Sequence, residues 1–117
     1  MSRFLIILND PPYGTERSYN GLRLANSLAK RESSRVRVFL IGDAVACGKR
    51  EQKVPRGYYN LEVMLRELAS RGGEIGICGS CMNARGIQDT ELAEGCRRSN
   101  MEELTAWSLE ADKLLVF

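Results

Sequence analysis

A chain of 117 residues with a net charge of +2 and 44% apolar side chains is sized for one domain, and it has no charge excess to draw it to nucleic acid or an anionic membrane. It contains no histidine, which removes Cys-His nucleophile pairs, Ser-His-Asp triads and every histidine-containing zinc site. No apolar run approaches the roughly 20 residues needed to cross a bilayer.

The first predicted element is the strand "RFLIIL" (3–8), a nearly continuous apolar run. The start "MSRFLIILND" lacks a small-residue cleavage site, so it reads as this strand and not as a signal peptide. With four cysteines and no export signal, a reducing, cytoplasmic compartment is expected. "TERSYNGLRLANSLAKRES" (15–33) reads as a helix, with Leu24 and Leu28 four apart beside Ala25 and Ala29. "VRVFLI" (36–41) is the second strand. "GDAVACGKREQKVPRGYY" (42–59) shows no clear periodicity, and its glycines and basic residues predict a mobile surface loop. "NLEVMLRELASRGG" is a clean amphipathic helix: Leu61, Met64, Leu65, Leu68 and Ala69 share one face, Asn60 caps the start, and Gly72 or Gly73 the end. "EIGIC" (74–78) is a weaker third strand. Ser99 and Glu102 have capping-box spacing before a helix through Trp107 toward Ala111, and "KLLVF" (113–117) is the last strand. The Leu, Met and Trp positions on these faces are expected to pack the core.

Runs with little polar alternation suit strands covered on both faces. The order β-α-β-α-β-loop-α-β therefore predicts one α/β domain over residues 1–117, a doubly wound, mainly parallel sheet with helices on both faces. In such sheets ligands bind outside the carboxyl ends of the strands. Three segments arrive there: "NDPPYGTE" (9–16), "GDAVACG" (42–48) and "CGSCMNARG" (78–86). Cys78 is thus placed at a strand end, with Tyr13 and Gly14 as one wall of a thiol pocket and Asp43, Gly79 and Gly86 around it. The first segment is no phosphate loop, since it lacks the Walker glycines and lysine.

The four cysteines admit three readings. A zinc site would gather Cys47, Cys78, Cys81 and Cys96, but only one pair has metal-ligand spacing. A thioredoxin-type dithiol would place its CxxC at the opening of a long helix near the chain start, whereas this pair comes late and "MNARG" follows it. The third reading is a single reactive thiol at Cys78 with Cys81 as its neighbour, and Cys47 and Cys96 as buried structural cysteines. Without histidine, loop amides or Arg85 would have to favour the thiolate.

"NDPPYGTERSYNGLRLANSL", "VRVFLIGDAV", "GYYNLEVMLRELASRGGEIGICGSCMNARGI" and "MEELTAWSLEADKLLVF" together resemble the DsrE/DsrF-like family of small sulfur-relay proteins, most closely its YchN-like branch. The resemblance spans nearly the whole chain. It implies a flavodoxin-like fold and a ring-like oligomer, here a homohexamer. Taking the glycine of "RG" as anchor, the family's persulfide-carrying cysteine falls on Cys78, with Arg85 beside the anion and Cys81 auxiliary or resolving. Relay members of the TusD type have a small apolar residue where Cys81 stands, and act with sister subunits. The leading expectation is a sulfur carrier or sulfurtransferase-like protein that meets donor and acceptor proteins. The alternatives are a dithiol–disulfide protein using Cys78 and Cys81, and a non-catalytic oligomeric module holding a small ligand. Neither metal nor organic cofactor is expected, and neither nucleic acid nor membrane as a direct partner.

Overall fold

The computed structural model describes residues 1–117. Five strands form one sheet: β1 (Ser2–Leu8), β2 (Ser34–Leu40), β3 (Glu74–Cys78), β4 (Cys96–Ser99) and β5 (Lys113–Val116), in the order β4-β3-β2-β1-β5. Every pairing is parallel. Four helices connect them: α1 (Arg17–Ala29), α2 (Leu61–Ser70), α3 (Gly79–Ala84) and α4 (Met101–Glu110). The chain winds outward from β1 to β4, then crosses back to lay β5 on the other side of β1. The reversal of strand order therefore falls between β1 and β5. That junction is filled: the Asn9 amide and side chain both donate to the Phe117 carbonyl, and a Cβ on Gly21 of α1 would meet Leu8 and the Phe117 ring.

Register divides the core into two layers. Ile6, Leu8, Val38, Leu40, Ile75 and Ile77 share one face, beneath α1 and α2. Leu5, Phe39 and Gly76 share the other, where Trp107 of α4 meets Phe39 edge-on at 6.3 Å. Residues that alternate along a strand face opposite sides, so a nearly all-apolar β1 or β2 is what two-sided cover requires. Each fully buried Leu or Ile contributes about 1.5–3 kcal/mol of transfer free energy.

Three local expectations are corrected. The segment 42–59 is not a mobile loop throughout: Gly42–Gly48 forms a 3₁₀ segment with Ala44, Val45 and Cys47 fully buried. A seven-residue turn of this kind is too short to show periodicity, yet its small apolar side chains fit beneath α2. The remainder is tied by Gln52, whose side chain donates to the Cys47 and Lys49 carbonyls and accepts from the Tyr13 hydroxyl. The second correction is β4, "CRRS", which carries too much charge to read as a strand. It is an edge strand paired only with β3, and edges commonly carry such charges. The third follows from it. Ser99 pairs with Cys78 in the ladder, so the cap of α4 moves one residue on, to Asn100, which accepts from the Glu103 amide. The cap of α2 is Asn60 as expected, accepting from Val63.

Candidate functional site

β3 ends at Cys78, and α3 begins at the next residue. The sequence expectation of a loop after Cys78 is corrected here. The CxxC does open a helix, although one of only six residues. Cys78 is its cap, and its Sγ accepts the Cys81 backbone N–H at 3.4 Å. The Ser80 hydroxyl lies 3.3 Å from the same sulfur. The chain can pass this point because residue 79 is glycine: a Cβ there would lie 2.8 Å from Arg98 Nη1 and 3.1 Å from the Ser99 carbonyl oxygen.

Two arginines clamp the turn. Arg98, from β4, donates to the Gly79 carbonyl at 3.1 Å and to Asn83 Oδ1 at 3.2 Å, and pairs with Asp89. Arg85, at the end of α3, donates through Nε and Nη2 to Asp43 Oδ1 at 3.1 and 2.8 Å, and through Nη1 to the Cys81 carbonyl at 3.0 Å. Asp43 belongs to the 3₁₀ segment after β2, and the amide of its neighbour Gly42 donates to Cys81 Sγ at 3.3 Å. The carboxyl ends of β2, β3 and β4 thus meet at the two thiols.

These contacts make the thiols unequal. Burial pushes the Cys78 thiol up, but hydrogen bonds from the Cys81 side chain, the Ser80 hydroxyl and the amides of both residues outweigh it and hold Cys78 below the ordinary cysteine range. Burial also pushes Cys81 up, and its hydrogen bond to Cys78 adds to this. The Gly42 amide and the Arg85 charge oppose the rise without cancelling it. Burial carries Cys47 and Cys96 up to about 12. Exposure runs against acidity: Cys78 is only 7% exposed, whereas Cys81 is half-buried.

The other predicted site residues lie as follows. Asp43 is in the constellation as Arg85's partner. Arg85 reaches Asp43 and the Cys81 carbonyl, and its charge acts on Cys81, so its contacts are not with Cys78. Gly79 forms the turn itself, and Gly86 follows α3, its amide donating to Asn83. Tyr13 turns elsewhere: it hydrogen-bonds Gln52 and the Leu61 amide and packs with Tyr58 and Tyr59. Gly14 follows it at the turn before α1. The concave spaces on this chain are lined by other residues, including Arg37 with Trp107 and Lys49 with Glu91, and no cavity contains Cys78 or Cys81. Cys96 shares the face of Ile75, opposite to Cys78, and Cys47 contacts the Asp10 carbonyl. No three His, Cys, Asp or Glu side chains gather as a metal site would need. The sequence pattern does not mark Ser80, Arg98 or the Gly42 amide as site groups. Ser80 is legible by its place inside the CxxC, whereas Arg98 depends on a strand that composition conceals.

The chain matches the DsrE/DsrF-like family over residues 2–117. It is 40% identical to Protein YchN of Escherichia coli (strain K12) over 118 residues, covering 100% of both chains. It is 35% identical over 112 residues to an uncharacterized protein of Methanopyrus kandleri, covering 96% of this chain and 91% of the other. The crystal structure of the ychN protein from E. coli superposes with a TM-score of 0.94 at 39% identity, over 100% of both chains. A Methanobacterium thermoautotrophicum protein of unknown function shares the fold, with a TM-score of 0.77 at 18% identity over 100% of both chains. With the family model matched over residues 2–117 and sequence identity to Protein YchN running the full length of both chains, the chain belongs to the DsrE/DsrF-like family.

Proposed function

We propose that this protein is a sulfur carrier that holds a persulfide on Cys78. In loading, the Cys78 thiolate attacks the outer sulfur of a donor persulfide. A new S–S bond forms, the donor's S–S bond breaks, and the donor leaves as thiolate. In unloading, an acceptor thiolate attacks that same outer sulfur and Cys78 leaves with the electron pair. The observation that carries the reading is the unequal pair: Cys78 accepts hydrogen bonds from the Cys81 amide and from its neighbours, which favour it both as attacking thiolate and as leaving group. Mass spectrometry after treatment with a polysulfide donor tests it. A gain of one sulfur atom on Cys78 is expected, and no gain on any cysteine overturns it.

One observation favours a second reading. Cys78 caps a helix that holds Cys81 on its first turn, as a dithiol–disulfide protein would have it. Loss of two hydrogens, with no sulfur gained, selects that reading; silence in both assays selects an oligomeric ligand-binding module.

The same proposal includes a homohexamer in the cytoplasm, exchanging sulfur with donor and acceptor proteins, without a metal or organic cofactor and without direct contact to nucleic acid or membrane. No helix is long and apolar enough to cross a membrane. Two features support assembly. The thiols lie in no cavity of a single chain, so a neighbouring copy would supply the missing wall. Large apolar side chains also remain uncovered, with Leu109 83% and Val116 62% exposed.

A further inference from the structure

We infer that the Gly42 amide and the Arg85–Asp43 pair form a second thiolate seat, at Cys81, and that Arg85 is the positioning residue for release of sulfide from a loaded Cys78. This rests on the carrier reading. The geometry is independent of the first thiol. Cys81 Sγ has its own donor, the Gly42 N–H at 3.3 Å, from a different strand's loop. Arg85 is pinned between Asp43 and the Cys81 carbonyl, so its guanidinium is fixed beside Cys81. The charged and titratable groups acting on Cys81 are Cys78 from β3 and Arg85 on its own helix, with Asp43 of the 3₁₀ segment held on Arg85; Arg98, from β4, is engaged with Gly79, Asn83 and Asp89.

Loading changes what this seat does. While Cys78 is unloaded, it is the member of the pair held below the ordinary cysteine range and Cys81 the one pushed above it, so Cys81 keeps its proton in preference to Cys78. Once Cys78 carries sulfur, the negative charge moves outward by one S–S bond of about 2.05 Å. The Cys81 proton passes to that outer sulfur, and the Gly42 amide and Arg85 hold the thiolate left behind. Cys81 thiolate attacks Cys78 Sγ, the inner sulfur. A bond forms between the two cysteine sulfurs, and the bond to the outer sulfur breaks. The outer sulfur leaves as hydrosulfide with the electron pair. It is reduced as the two cysteines are oxidised to a disulfide, so the step needs no other oxidant. A dithiol reductant then restores the pair for another round. A carrier built this way discharges itself when no acceptor arrives.

The first arm of the test uses the chain with Cys78→Ser, which isolates Cys81 from its neighbour. Iodoacetamide labelling of Cys81 is followed by mass spectrometry from about pH 6 to about pH 10. Arg85→Gln is expected to raise the midpoint by about half a pH unit, and Arg85→Lys to restore most of it. An unmoved midpoint, or a lysine no better than glutamine, overturns the seat; mere loosening of the helix would not be rescued by charge. The second arm loads the chain that retains all four cysteines with polysulfide and measures sulfide at neutral pH. Arg85→Gln is expected to slow sulfide release, counted per sulfur atom loaded, about threefold, the thiolate fraction lost in a half-unit shift. A loaded protein that releases no sulfide, or releases it equally fast in the variant, overturns this inference and leaves the carrier reading standing. A protein that takes up no sulfur overturns the carrier reading and the release step with it, while the labelling arm still decides the seat.

Discussion

Cys78 has the more acidic thiol of the CxxC pair but only 7% of its surface meets solvent, while its weaker partner Cys81 is the more exposed. Rate of attack depends on thiolate fraction and on access, and here the two point to different residues. Acidity decides at neutral pH if the reagent is small, because a buried but hydrogen-bonded thiolate remains reachable by a molecule the size of iodoacetamide. Cys78 is therefore expected to alkylate before Cys81, and both before Cys47 and Cys96, in a peptide-resolved time course. Labelling of Cys81 first would assign the working thiol to the exposed position. Cys78→Ser is expected to abolish sulfur loading, and Cys81→Ser to keep it and lengthen its lifetime. Cys47 leads to a separate pH effect. Its thiol is raised to about 12 by burial, so the folded chain keeps a proton that the unfolded chain loses near its ordinary value. The stability this represents is complete below about pH 9 and is lost as pH climbs toward 12, at about 1.4 kcal/mol per pH unit. Urea titrations above pH 9 should show wild type losing stability faster than Cys47→Ala by about this slope; parallel curves would count against it.

Where elements are concerned, the sequence was readable wherever apolar residues came in runs. β1, β2 and β3 were evident because two-sided burial leaves little polar alternation, and α2 because five side chains fall on one face. β4 and α3 were not. β4 takes its place from pairing with β3 and from arginines whose partners lie on other elements, which no local pattern records. The approach to β4 depends on Gly95, which sits at φ +88° with Ala69 of α2 pressing close: an added Cβ would come 2.4 Å from the Ala69 Cβ. Left-handed strain costs about 1–2 kcal/mol and overpacking about 1–3 kcal/mol, so Gly95→Ala is expected to destabilise the fold by about 2–5 kcal/mol in urea unfolding. The cap of α4 offers a sharper contrast. Asn100→Ala should cost about 1 kcal/mol, because the Glu103 amide loses its acceptor, whereas Glu102→Ala should cost little. The reverse order would restore the Ser99–Glu102 capping box suggested by spacing alone.

For the molecule as a whole, alternation of strand and helix is enough to give a doubly wound sheet, and the position of the CxxC at a carboxyl edge follows from it, since Cys78 closes an apolar run at the end of β3. The roles of the neighbours did not follow. Arg85 could be seen beside the CxxC, but its direction is set by Asp43, 42 residues earlier in the chain. Tyr13 looked like a wall of the same site because its strand ends on the same edge; a partner in the segment after β2, Gln52, draws it away. The reversal of strand order lies at β1 and β5, with β2 between it and the thiol-bearing β3, and Phe117 already fills it. The site therefore draws on β2, β3 and β4 alone and has no enclosing wall within one chain. Sedimentation at micromolar concentration is expected to show a homohexamer, and a species near 13.1 kDa would refute the assembly. Elemental analysis of that material is expected to find no zinc; about one zinc per chain, with unfolding on chelation, would reverse this.

Gln52 joins the segment after the 3₁₀ turn to three separate parts of the molecule. Its side chain holds Tyr13 and two carbonyls of the preceding turn, its amide donates to Glu62, and its own carbonyl accepts from Asn60. By composition this stretch is an invitation to trypsin, with Lys49, Arg50, Lys53 and Arg56 in eight residues. Cleavage needs a dozen or so extended residues in the protease groove, so it reports on local unfolding and not on surface position. The native chain should thus resist nicking there for as long as it stays folded, while Gln52→Ala should be cut at Lys53 and Arg56 well before it melts. One uncharged side chain would then separate a durable protein from one that is clipped across the strap linking its second strand to its second helix.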